Sequence, residues 1–203
     1  MKKCMPGGLP GKGLPMYDKE TVLRIALGEV GYVEKETNAQ LDDADANAGD
    51  ENYTKYARDL DKLHFYNGRK NGCAWCDVFV DWCFVKAYGE EAALAMTFQP
   101  RWGILNKGAG CRYSREYYEE FGRLFEEPKT GDQVFFYNED GTRVCHTGLV
   151  WKVDDTYIYT VEGNTSPQAG VVDNGGSVNE KKYLRTDKRL AGYGRPYYEL
   201  KNV

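Results

Sequence analysis

Gly72-Cys73-Ala74-Trp75-Cys76-Asp77-Val78-Phe79-Val80-Asp81-Trp82-Cys83-Phe84-Val85-Lys86-Ala87-Tyr88-Gly89 is the stretch that decides the fold. Cys76, Phe79, Val80, Cys83, Phe84 and Ala87 recur at helical spacing, which predicts a helix that starts near Cys76 and presents one apolar face. Gly89 ends it, because glycine tolerates the backbone turn that closes a helix. Gly68 and Gly72 mark the loop before it.

Upstream of this stretch the pattern is also helical. Asp18 can cap a helix running to about Gly31, with Val22, Ile25, Ala26 and Val30 on one face. A second helix fits residues 51–63 and would bury Tyr53, Tyr56, Ala57, Leu60 and Leu63. Shorter helices are expected over 90–97 and 114–125. Downstream the period changes. Residues 132–137, 144–153 and 156–162 are rich in β-branched and aromatic side chains, and Asn138-Glu139-Asp140-Gly141 reads as the hairpin turn between the first two. Further strands are expected near 170–173, 180–184 and 190–198. Helices first and strands second indicate an α+β fold, with N-terminal helices packed on a C-terminal antiparallel sheet.

The chain has 203 residues, the size of one domain. Pro6, Pro10, Pro15 and several Gly make residues 1–16 read as a flexible tail, leaving 17–203 as the folded domain. Net charge is −4 and the Lys and Arg residues are dispersed, which argues against nucleic-acid binding. No apolar run approaches the ~20 residues that span a bilayer, so no stable membrane association is expected. Pro6-Gly7-Gly8 stands where the apolar core of a signal peptide would be, so synthesis in the cytoplasm without an export signal is the expectation, with a monomeric chain. Sixteen Tyr suit a wet groove that grips a polymer.

Six cysteines, at 4, 73, 76, 83, 111 and 145, read as reduced thiols in that compartment. Most reduced cysteines are small buried hydrophobes. Cys76 differs by its place at a helix start, where unpaired N–H groups and the helix dipole favour a thiolate. A base must come from His64 or His146, the only histidines, and His146 lies on a predicted strand. Glu162 and Asn164 end the next strand two residues apart, so both can share the face that orients the imidazole. A zinc site built from Cys73-x-x-Cys76 and Cys145-His146 is a rival, but adjacent strand residues point to opposite faces. A thioredoxin-like reading of C-x-x-C lacks the expected preceding strand.

These residues resemble the cysteine- and histidine-dependent amidohydrolase/peptidase (CHAP) family. The resemblance is carried by residues 74–83, by Thr130-Gly131-Asp132 with Phe135-Phe136, by His146-Thr147-Gly148-Leu149-Val150, and by Val161-Glu162-Gly163-Asn164-Thr165. It implies a papain-like fold and a peptidoglycan hydrolase of the phage and prophage endolysin kind, acting on the bacterial wall after release. It implies Cys76 as nucleophile, His146 as general base and acid, and Glu162 and Asn164 as orienting residues. Trp75 and Tyr56 are candidates for the substrate surface, and Tyr56 or Tyr53 for a second oxyanion donor beside the backbone N–H of Cys76. No cofactor is required, although some relatives bind calcium through an acidic loop, for which Asp42, Asp43, Asp45 and Asp50 stand in the right region. They do not fit the spacing of an EF-hand loop. A non-catalytic wall-binding module on the same scaffold is the alternative, and an NlpC-type peptidase, with Asp-Cys at the nucleophile, fits less well than Trp75-Cys76.

Overall fold

The computed structural model describes residues 17–100, 109–172 and 174–199. The expected N-terminal tail, Cys4 and Trp102 lie outside the described residues.

Helix α1 (Lys19–Gly28) begins as the sequence predicts, with the Asp18 side chain accepting the Glu20 N–H at 3.0 Å. It buries Val22, Leu23 and Ala26. It stops at Gly28 rather than Gly31, which leaves Val30 42% exposed instead of on the buried face. Helix α2 (Lys55–Lys62) starts later than 51, because Thr54 supplies the cap: its hydroxyl accepts the Ala57 N–H at 3.1 Å. Tyr56, Ala57 and Leu60 are buried, whereas Leu63 is 41% exposed.

Helix α3 (Cys76–Tyr88) departs from the one-face expectation. Every residue from Cys76 to Phe84 is buried, Asp77 and Asp81 included. It is a central helix, packed on α1, α2, α4 (Glu90–Met96) and the sheet. A helix buried all round must satisfy its polar side chains internally, a demand that falls on the two aspartates.

Helix α5 (Cys111–Glu120) begins three residues before the expected 114 and ends before 125. Leu124–Phe125 instead forms a short edge strand, β1. The remaining strands are β2 (Gln133–Tyr137), β3 (Val144–Val153), β4 (Tyr157–Thr165), β5 (Ser177–Leu184) and β6 (Leu190–Gly194). They form one antiparallel sheet in the order β1-β6-β2-β3-β4-β5. The strand expected near 170–173 is absent over residues 170–172, and Asp173 lies outside the described residues.

Among the described residues three clusters hold the sheet, one of them joining Phe135 of β2 and Ala191 of β6 to Cys111 and Tyr118 of α5. Leu149, Val161 and Val178 join the helical core around Trp75, Phe79 and Phe84. Val134, Phe136, Val150, Ile158, Tyr183 and Tyr193 form another. Each fully buried Leu, Val or Phe side chain contributes about 1.5–3 kcal/mol. Helix α3 meets β4 at Gly163, where a Cβ would come within 2.7 Å of both Phe79 and Trp75. The glycine between Glu162 and Asn164 is therefore a demand of helix–strand contact. Asp132, ahead of β2, takes both Nε and Nη2 of Arg195 at 2.9 Å, which anchors the start of β2 to the chain beyond β6.

Candidate active site

Cys76 occupies the first position of α3, where backbone N–H groups have no partner within the helix. Trp75 precedes it without offering a side-chain cap. Instead the Trp75 indole N–H donates to Oε2 of buried Glu34 at 2.6 Å, which pins the residue before the sulfur.

His146 comes from β3 and Glu162 from β4. Nε2 of His146 lies 2.9 Å from Oε2 of Glu162, and both side chains are fully buried. A carboxylate only accepts, so Nε2 carries the proton. Nδ1 makes no hydrogen bond of ordinary geometry and is the ring nitrogen left for the Cys76 sulfur. Glu162 is itself held: Thr160 donates to Oε1 and Tyr183 to Oε2 at 3.2 Å. Its side chain crosses Gly148, where a Cβ would stand 2.4 Å from Glu162 Cγ. Thus the glycine two residues after His146 makes room for the carboxylate behind the ring.

The electrostatics favour an ion pair. The Cys76 thiol is held well below the ordinary thiol range. The hydrogen bond from the Cys111 thiol is the largest cause, burial opposes it, and the hydrogen bond and charge of His146 add to the lowering. For His146, burial pulls the pKa down, but hydrogen bonds to Cys76 and Glu162 and their charges outweigh it and lift the value to about 10. The two shifts run in opposite directions and describe one state: a thiolate beside an imidazolium. Cys83, two turns into the same helix, is pushed the other way by burial. Cys76 keeps 7% of its surface exposed, and His146 none.

Other expected residues are placed elsewhere. Asn164 does not reach His146; a register shift between Glu162 and Thr165 and a backbone φ of 54° turn its amide to Asn174, at 3.1 Å. Trp75 and Tyr56, candidates for a substrate surface, are both fully buried. The Tyr56 hydroxyl donates to Glu29 at 2.8 Å and its ring packs on Tyr32, Trp75, Phe79 and Trp82, so it is a core residue rather than an oxyanion donor. The acidic loop does not fit calcium: both Asp42 oxygens are taken by Arg58 at 2.7 Å, and Asp43 accepts the N–H groups of Asp45 and Ala46. Among the described residues no group of His, Cys, Asp and Glu is arranged to hold a metal ion, Cys73, Cys76 and His146 included. Cavities of about 420 Å³ beside Asp61 and residues 64–69, and about 550 Å³ beside α1 and Trp151, are lined by neither Cys76 nor His146.

Sequence reasoning missed Glu34, Asp77 and Cys111. A carboxylate at 34 in an acidic neighbourhood carries no local signal. Asp77 and Asp81, four apart in an otherwise apolar helix, do carry one: charges at that spacing in a buried helix must have partners. Cys111 is brought to Cys76 by tertiary packing of α5 alone.

The family model described as the CHAP domain matches residues 68–164, which span Cys76, His146 and Glu162. No curated protein matches the chain.

Proposed function

We propose that this chain, which carries a CHAP domain over residues 68–164, hydrolyses an amide bond of peptidoglycan with Cys76 as nucleophile and His146 as acid and base. The family is one of peptidoglycan amidases and peptidases, and the observation that supports catalysis here is the line of Cys76, His146 and Glu162 with its opposed thiol and imidazole shifts.

The Cys76 thiolate attacks the scissile carbonyl carbon and forms a C–S bond. Backbone N–H groups at the start of α3, that of Cys76 first, receive the oxyanion. Imidazolium at His146 gives its proton to the departing nitrogen as the C–N bond breaks. Water then attacks the thioester while His146 takes a proton from it; the C–S bond breaks and the ion pair is restored. Glu162 holds the ring and stabilises its charge throughout. A proton transfer placed in this way is worth roughly 10²–10⁴-fold in rate.

The same chemistry serves the N-acetylmuramoyl-L-alanine amide and the stem or cross-bridge peptide bonds. In this reading the protein is endolysin-like, is made in the cytoplasm and acts on the bacterial cell wall after release. Digestion of purified peptidoglycan, with mass spectrometry of the new termini, decides the bond. Free muramoyl and L-alanine ends identify an amidase, and new peptide amines an endopeptidase. Equal digestion by Cys76→Ala and the native chain would end the proposal.

A further inference from the structure

The residues following the nucleophile and the base are joined by a buried hydrogen-bond chain that the chemistry above does not use. Asp77 follows Cys76, Thr147 follows His146, and Gln133 of β2 lies between them. Gln133 Nε2 donates to Asp77 Oδ1 at 3.1 Å and to Thr147 Oγ1 at 3.1 Å. Asp77 Oδ2 also accepts the Gly110 N–H at 2.9 Å and the Ser114 hydroxyl at 2.8 Å, which caps α5 from outside and seats Cys111. The Thr147 hydroxyl donates to the Val134 carbonyl at 2.7 Å, so toward Gln133 it can only accept. Asp77, Gln133 and Thr147 are 3%, 1% and 0% exposed.

The donor pattern fixes the geometry. Burial, with the Cys76 charge beside it, raises the Asp77 pKa to about 6; above that pH the ionised Asp77 and the occupied Thr147 hydroxyl both need a donor, and the amide NH₂ of Gln133 is the group that serves both. The amide is held in that orientation even though its Oε1 is left buried without a partner. A buried acceptor without a partner is costly. Its retention indicates that the two NH₂ bonds outweigh it. Turning the amide over would set Oε1 against the oxygens of Asp77 and Thr147 and leave both ends without a bond.

We infer that Asp77, Gln133 and Thr147 form a positioning bridge that fixes the distance between Cys76 on α3 and His146 on β3. The inference rests on the assignment of Cys76 and His146 as the reacting pair. The three bridge residues are buried, so each acts through Cys76 or His146 rather than on substrate. Their work is to prevent the helix start and the strand from sliding past each other, where a displacement near 1 Å can cost about 10²-fold in turnover.

The test is steady-state hydrolysis of solubilised peptidoglycan across pH by the full chain. Thr147→Val, Thr147→Ser, Gln133→Leu and Cys76→Ala are compared with the native protein, each checked for folding by near-UV circular dichroism. Thr147→Val keeps the side-chain shape and removes the acceptor. It should lower kcat by roughly 10- to 100-fold with KM within about twofold, and raise the acid limb of the pH profile, because the thiolate loses imidazolium contact. Thr147→Ser restores the hydroxyl and should recover both readouts. Gln133→Leu should behave like Thr147→Val, and provides the test if Thr147→Val does not fold. Native kcat and pH profile in a folded Thr147→Val or Gln133→Leu would overturn the bridge. Native activity in Cys76→Ala would instead overturn the reading beneath it.

Discussion

His146 and Glu162, sixteen residues apart on neighbouring strands, meet through one hydrogen bond of 2.9 Å between two side chains that no solvent reaches. Burial alone would leave the imidazole neutral. The carboxylate behind it, together with the sulfur in front, reverses that and makes a charged ring the resting state.

Replacing that carboxylate tests its part. Glu162→Gln keeps the shape and removes the charge. Turnover should fall by about 10²-fold or more, and the alkaline limb of the kcat profile should move below its native position near pH 10. A pH-rate series on the two proteins checks both.

The pH dependence of the native chain follows from the two shifts. Activity rises as Cys76 loses its proton, at a pH well below the ordinary thiol value of 9.0, and falls as His146 loses its own near 10. The stability term has the same upper edge. A His pKa raised from 6.5 to about 10 stabilises the fold fully below 6.5, and that contribution is lost as pH rises through 10. The lowered Cys76 pKa contributes in the opposite direction up to 9.0, so a thermal-melt series of the native chain should show the midpoint dropping mainly between about 9.0 and 10.

Gly148→Ala probes the space behind the ring. The added methyl would stand 2.4 Å from Glu162 Cγ and 2.9 Å from the Val161 carbonyl. Either Glu162 or the strand must shift, at a cost of about 1–3 kcal/mol. Thermal melting should show the loss, and wall digestion should weaken with it.

Trp75→Phe removes the indole N–H from Glu34 and leaves a buried carboxylate oxygen without that donor. Burial already raises the Glu34 pKa, so the loss should cost about 1–3 kcal/mol, read as a lower urea midpoint.

Chelation should leave hydrolysis within about twofold, since the acidic loop spends Asp42 on Arg58 and Asp43 on its own turn. A metal-free dialysis compared with added calcium checks this.

Much of this was legible in the residues. The helical period from Cys76 and the β-branched and aromatic runs after Gly131 set the α+β order and the bounds of α3, β2 and β3 to within a residue or so. The start of α5 was not legible. Its cap is Gly110, which has no side chain, and the carboxylate that completes it belongs to Asp77, thirty-three positions away. Local sequence holds no trace of such a cap. Asn164 was misplaced for a related reason: spacing by two puts it beside Glu162, but the bulge at Gly163-Asn164 breaks the alternation on which that argument depends. Tyr56 and Trp75 looked suited to a groove because aromatic residues serve core and surface alike, and only packing tells them apart.

The most direct measurement is the rate of Cys76 carboxamidomethylation against pH, followed by peptide-resolved mass spectrometry so that exposed Cys73 is scored apart. The reactive form should appear with a midpoint well below 9.0 in the native chain and shift upward in His146→Ala. A midpoint near 9.0 in the native chain, unmoved by that substitution, would contradict the account.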